Sequence, residues 1–104
     1  MNNQILPMRI GVGIILLNEK NRVFVAKRKD NPGNKWQMPQ GGVEHGEDFL
    51  TAMKRELREE TSIKNINIIK EIKKMYEYKL PKNLIGIIWK GKFRGQKQKW
   101  FITK

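Results

Sequence analysis

Glu56, Glu59 and Glu60 stand at i, i+3 and i+4, so on a helix their side chains are neighbours on one side. Like charges at that spacing repel by a few tenths of a kcal/mol per pair, roughly, and the cluster calls for a positive charge in its midst. Two sources are at hand. One is a divalent metal ion taken up by carboxylate oxygens, the ligands that hard Mg²⁺ or Mn²⁺ prefers. The other is plain neutralisation by Lys54, Arg55 and Arg58 of the same segment.

Helical phase bears on that choice. At about 100° per residue, Phe49, Leu50, Met53 and Leu57 form one apolar stripe, the face that packs on a core. Asp48, Thr51, Lys54, Arg55 and Arg58 fall on the far side, towards water. Glu56 and Glu60 project along the edge of the stripe, and Glu59 lies further out. A carboxylate at a core boundary is costly to desolvate unless it is paired or binds a metal, which favours the metal reading.

The helix is fed by glycines: Gly41-Gly42-Val43-Glu44-His45-Gly46-Glu47-Asp48 leads into Arg55-Glu56-Leu57-Arg58-Glu59-Glu60. As a pattern this is Gly41, five residues, Glu47, seven residues, then Arg55 to Ile63. The stretch resembles the Nudix box of the Nudix hydrolases, which cleave nucleoside diphosphates linked to another moiety. One position departs, since the family usually has glycine where this chain has Ser62. That residue comes just after the helix, where a left-handed cap is common, so serine there bears on stability more than on chemistry.

The resemblance extends past the box. Trp36 to Gly42, Tyr78-Lys79-Leu80-Pro81-Lys82 and Gly95 to Phe101 look like the bacterial RNA pyrophosphohydrolase subgroup, which also contains dinucleoside polyphosphate hydrolases. The fold that this resemblance implies is an α/β/α sandwich around a mixed sheet, in one Nudix domain over residues 1–104. The activity it implies is metal-dependent removal of pyrophosphate from the 5′-triphosphate end of RNA, which leaves a monophosphate and promotes mRNA decay. The alternatives are a dinucleoside polyphosphate (Ap4A-type) hydrolase and an inactive RNA-binding remnant. Subgroup members continue with further sheet, a second helix and another acidic residue. The expectation is therefore a truncated chain with the C-terminal helix missing and one sheet face exposed.

A phosphoanhydride resists hydrolysis because its own charge repels nucleophiles, so catalysis needs cations on the phosphate oxygens and an aimed water. By resemblance, Glu56 and Glu60 are the leading metal ligands, Glu59 is a third, and the Gly41 carbonyl adds an oxygen. One of these glutamates orients or deprotonates the water. Glu47 and Arg55 support the site, Arg55 by pairing with a neighbouring carboxylate; the alternative for Arg55 is an ordinary surface pair with Glu59. Arg9, Lys27, Arg28 and Lys35 are candidates for gripping phosphates, while Tyr78, Lys79, Lys97 and Lys99 extend the basic surface. His45 is read as solvent-exposed. Trp36, Trp89 and Trp100 have the chemistry to stack on bases, but buried packing is the reading preferred for each.

Composition sets the outer bounds. A chain of 104 residues, 38% hydrophobic and 31% charged, supports one soluble globular domain with a modest core. It has no cysteine, which excludes disulfide-linked partners and thiolate metal sites. The apolar run from Ile10 to Leu17 is too short to span a bilayer, and Met1 to Gln4 lacks the features of a signal peptide; a cytoplasmic protein is expected. The net charge is +12, and six of the ten acids lie between Glu44 and Glu60. Beyond Ile63 twelve Lys or Arg face only Glu71 and Glu77. A basic surface around an acidic pocket suits a polyanion, here triphosphorylated RNA or a dinucleoside polyphosphate.

Around these residues the chain predicts a central strand over Arg9–Leu17 and a hairpin back through Arg22–Arg28. The helix is expected from about Asp48 to Glu60, its acids and arginines agreeing with the macrodipole. Three further strands are expected over Ile66–Tyr76, Leu84–Trp89 and Gln98–Ile102.

Overall fold

Alternation along an extended chain sends successive side chains to opposite faces, and this governs how the sheet carries the site. A computed structural model describes residues 6–27 and 36–104. In chain order the elements are β1 (Met8–Leu16), β2 (Ala26–Lys27), β3 (Trp36–Gln37), β4 (Gln40–Gly42), α1 (Phe49–Thr61), β5 (Ile68–Glu71), β6 (Tyr76–Lys79), a 3-10 turn (Ile88–Gly91) and β7 (Gly95–Thr103).

β1 is central, as its two-sided apolar pattern predicts. It runs antiparallel to β4 and parallel to β7. β6 and β5 share the outer edge of β7, opposite its first and second halves respectively. The result is a mixed sheet.

On one face Val12, Ile14 and Leu16 meet Ala52, Met53 and Leu57 of α1, with Phe101 completing the core. Full burial of an aliphatic or aromatic side chain contributes about 1.5–3 kcal/mol, so this cluster fixes the helix on the sheet. Leu50, expected in the stripe, is instead 40% exposed, and Ala52 is fully buried. The core contact centres on Ala52, Met53 and Leu57, which turns Leu50 to the rim.

Both ends of α1 are capped. The Asp48 carboxylate accepts a 2.7 Å hydrogen bond from the Thr51 N–H, as an N-cap does. Ser62 adopts the left-handed conformation (φ 64°) and its N–H donates to the Arg58 carbonyl.

Four strand expectations need correction. The second strand of the first hairpin reduces to a single bridge, Leu17 to Val23, after which β2 pairs with β3 instead. The Ile66–Tyr76 strand is split, with a bulge between Ile68 and Lys70 and a bend before β6.

Leu84–Trp89 is not a strand. Lys79 pairs with Gly95 and Leu80 N–H donates to the Arg94 carbonyl, so these residues form the closed end of the β6–β7 hairpin. Both edges of β7 are already occupied, which leaves no partner for another strand there. The chain turns instead through Gly86 (φ 93°) and Gly91 (φ 72°), with Trp89 and Lys90 also at positive φ (55° and 57°). The last strand is longer than expected, Gly95–Thr103 rather than Gln98–Ile102.

α1 covers one face only. On the other, the Trp100 indole lies across Gly13, where any Cβ would overlap the ring. Ile15, Met38, Ile72, Tyr76 and Trp100 line an apolar groove of about 370 Å³ beside it. No helix covers this face among the described residues. Among those residues no helix is long and apolar enough to cross a membrane.

Candidate active site

The junction between β4 and α1 is held by Arg55. Its Nε and Nη2 donate to the two Glu47 oxygens at 2.8 and 2.9 Å, a bidentate fork that only arginine can form. Nη2 also donates to the Gly42 carbonyl at 2.8 Å. Nη1 reaches Glu56 at 2.7 Å and Glu59 at 3.1 Å. The pair with Glu59 therefore exists, but as one part of a network that ties loop to helix.

The expectation that Arg55 faces water is corrected: its side chain is 16% exposed. A guanidinium with that many carboxylate partners turns inward because leaving them unpaired would cost more than its own desolvation.

Electrostatics obey the same geometry. Hydrogen bonds from Arg55 hold the Glu47 carboxyl at about 2, below its ordinary 4.5. The same bonds hold Arg55 above the usual guanidinium range. The bond from Thr51 lowers Asp48.

Glu56 is half-buried beside Gly41, where a Cβ would collide with its carboxylate. Glycine at 41 thus lets a carboxylate approach the backbone closely. Glu59 points outward with a 55% exposed side chain. Glu60 reaches the cleft on the other side of β4. The His45 side chain is exposed, as expected.

That cleft, about 610 Å³, is lined by Arg9, Lys27, Gln40, Glu60, Trp89 and Gln96 among others. Arg9 and Gln96 are parallel partners on β1 and β7 and project from the same face. Arg9 Nη1 donates to the Gln96 side-chain oxygen, and its guanidinium carbon lies 5.4 Å from the centre of the Trp89 ring. Burial lowers the Arg9 pKa, and the Glu56 charge opposes that shift. A Cβ on Gly42 would come within 2.7 Å of Arg9 Nη2, so glycine there clears room for the guanidinium. Gln98 donates to Gln40 at 2.6 Å.

Lys27 and Arg9 both line the cleft. Arg28 and Lys35 lie outside the described residues. Tyr78 and Lys79 are exposed on β6, and Tyr78 pairs with Gln96 across the sheet. Lys97 lies beside Lys79 in that register, opposite Glu77. Lys99 does not extend the basic surface, because its side chain is 12% exposed and points towards Glu71 at 3.8 Å. The preference for buried packing fails for Trp36, which is 63% exposed under the Lys27 ammonium at 4.9 Å. Trp89 and Trp100 are half-buried.

Gln40 and Gln96 line the cleft and Gln98 bonds to Gln40; no motif in the sequence singles them out. The signal available is alternation: Gln96 and Gln98 share one face of a strand, and paired glutamines on an otherwise apolar sheet face mark a place where polar groups are wanted.

The fold recurs in known proteins. A family model described as the NUDIX domain matches residues 7–101; the chain belongs to that family. Nudix hydrolases generally use divalent metal ions. The RNA pyrophosphohydrolase of Pelagibacter ubique is 68% identical over 99 residues, covering 95% of this chain and 63% of the relative. That of Rhodospirillum rubrum is 50% identical over 99 residues, covering 95% and 59%. The chain thus spans less than two thirds of the length of these curated relatives.

Among solved structures, the dihydroneopterin triphosphate pyrophosphohydrolase of E. coli aligns with a TM-score of 0.75 at 23% identity, over 96% of this chain and 70% of that one. The Ap4A hydrolase of C. elegans aligns at 0.63 and 22%, over 93% and 67%. Both share the fold.

The donor set suits a hard cation, since carboxylate and carbonyl oxygens dominate the β4–α1 junction and Gly41 gives Glu56 room beside the backbone. Among the described residues, however, no three acidic side chains close on one point; Arg55 Nη1 binds Glu56 and Glu59 together.

Proposed function

We propose that residues 1–104 form a single Nudix hydrolase domain of an RNA pyrophosphohydrolase, which removes pyrophosphate from the 5′-triphosphate end of RNA and leaves a monophosphate. The observation that carries this is the 68% identity, across nearly the whole chain, to a relative bearing that name. The arrangement of acids and cations around β4 supports it. Trimming the 5′ end in this way would promote mRNA decay, and the working compartment would be the cytoplasm.

Glu56 and Glu60, with Glu59 and the Gly41 carbonyl, would hold Mg²⁺ or Mn²⁺. The bound ion supplies charge neutralisation on the phosphate oxygens and an acidified water. The chain's own residues do the rest. Arg9 and Lys27, with Arg28 and Lys35, take the phosphate chain as charged donors. Arg55 and Glu47 fix the loop–helix junction so that Glu56 keeps its place beside Gly41. One of the three glutamates takes the proton of the attacking water. Lys79, Tyr78 and Lys97 carry the positive surface onward for the RNA backbone.

The test is release of pyrophosphate from triphosphorylated RNA by the 104-residue chain with Mg²⁺ or Mn²⁺. Turnover is expected on RNA and should be lost in Glu60→Gln. Marked preference for a dinucleoside tetraphosphate at matched low concentration would overturn the RNA reading in favour of an Ap4A-type hydrolase. RNA binding without any release would establish an inactive remnant.

A further inference from the structure

The β6–β7 hairpin ends in an aromatic ring laid over the phosphate-binding arginine, and hydrolysis of a phosphate chain does not by itself require that ring. Trp89 is half-buried yet lines the cleft together with Arg9, Gln96 and Glu60. Its indole lies against the Arg9 guanidinium at 5.4 Å, and the Phe93 ring stands 6.2 Å away at 78° to it.

The backbone is committed to this placement. Trp89 and Lys90 both hold positive φ, a conformation that bulky side chains rarely adopt and that persists only where surrounding structure imposes it. Gly91 packs so tightly on Gly86 that a Cβ would lie 2.9 Å from the Gly86 carbonyl oxygen. The turn therefore presents an indole at a fixed position rather than filling a core.

We propose that Trp89 is the stacking platform for the nucleobase whose phosphate chain is held by Arg9, so that base and phosphate are gripped side by side in one cleft. This rests on reading the cleft as a polyphosphate site. A guanidinium on one face of the indole sets no preference among bases on the other, so the platform accepts any base, as aromatic stacking does. The ligand is thus a nucleobase joined to a polyphosphate, from an RNA 5′ end or from a dinucleotide.

The experiment is equilibrium binding to the full chain of three probes: a short 5′-triphosphorylated RNA, diadenosine tetraphosphate, and inorganic tripolyphosphate, which has no base. Wild type should bind at least one base-bearing probe about tenfold tighter than tripolyphosphate, the scale of one stacked base. Trp89→Leu should weaken the base-bearing probes about tenfold more than tripolyphosphate, and Trp89→Phe should restore most of that difference. Which base-bearing probe gains identifies the source of the base. Equal binding of all three probes by wild type overturns the proposal. So does an equal loss for all three in Trp89→Leu, which would make Trp89 only a support for Arg9. Because binding is read rather than turnover, a catalytically silent chain would sink the hydrolase reading without touching this one.

Discussion

Arg55 and Arg9 both touch Gly42, one at its carbonyl and the other where a side chain would be, yet they live in opposite environments. Arg55 is surrounded by carboxylates: Glu47, Glu56 and Glu59 all accept from it. Arg9 is held by neutral groups, an amide oxygen and an aromatic face; the Glu56 charge acts on it, but it forms no salt bridge with a carboxylate among the described residues. The first arginine has its charge spent inside the protein and works as a brace. The second is oriented without being neutralised, which is what a group meant for a polyanion requires.

That contrast can be broken most decisively at Arg55. Arg55→Ala should leave Glu47 and Glu56 facing each other uncompensated and lower the melting temperature by about 5–10 °C. Arg55→Lys should recover only part, since an ammonium cannot form the fork to Glu47. A melting curve like wild type for Arg55→Ala would show that the brace is decorative.

Next in size, Arg9→Ala should weaken tripolyphosphate binding by about tenfold, the worth of one charge-assisted contact. Its melting temperature should stay within about 2 °C of wild type. A large thermal loss there would erase the distinction between the two arginines.

A third measurement uses acid. Glu47 has a folded pKa of about 2 against an ordinary 4.5, so its contribution is fully present above about 4.5 and drains away as pH falls towards 2. Asp48 shifts in the same direction. Chemical denaturation across that window should show stability falling with acid, and Glu47→Gln should flatten the slope. A slope unchanged in that variant would place the titration elsewhere.

The smallest effect is a control at the far end of the same helix. Ser62 holds a left-handed conformation that costs a non-glycine residue about 1 kcal/mol. Ser62→Gly should raise the melting temperature by a few degrees without altering binding to either arginine's partners; a decrease would mean the serine hydroxyl matters at the cap.

Legibility in the sequence depends here on distance along the chain. Glu47, Arg55, Glu56, Glu59 and Glu60 lie within one loop and one helix; periodicity places the four helical residues, and the resemblance to the Nudix box supplies Glu47. Even so, periodicity points Arg55 towards water, because phase says where a residue starts and not how far a long side chain reaches back. The Arg9 wall is hidden for a different reason. Arg9 meets Gln96 only because β1 and β7 pair in parallel, a contact no local pattern encodes.

Leu84–Trp89 reads as a strand from its apolar residues, and Gly86 and Gly91 are the signal against it. Strand propensity yields where no sheet edge is free. The exposure of Trp36 is equally out of reach, since it depends on the short β2–β3 ribbon and not on anything near Trp36 in sequence.

The ladder between β1 and β7 runs rung for rung from Met8–Gly95 to Leu16–Thr103, joining residues 87 positions apart. Such closure is entropically late. On a ribosome, the most apolar strand of this protein must wait with one flank unpaired until residues 95–103 have emerged. Chaperone dependence and aggregation during synthesis should therefore be governed by the arrival of β7, long after the acidic helix has been made.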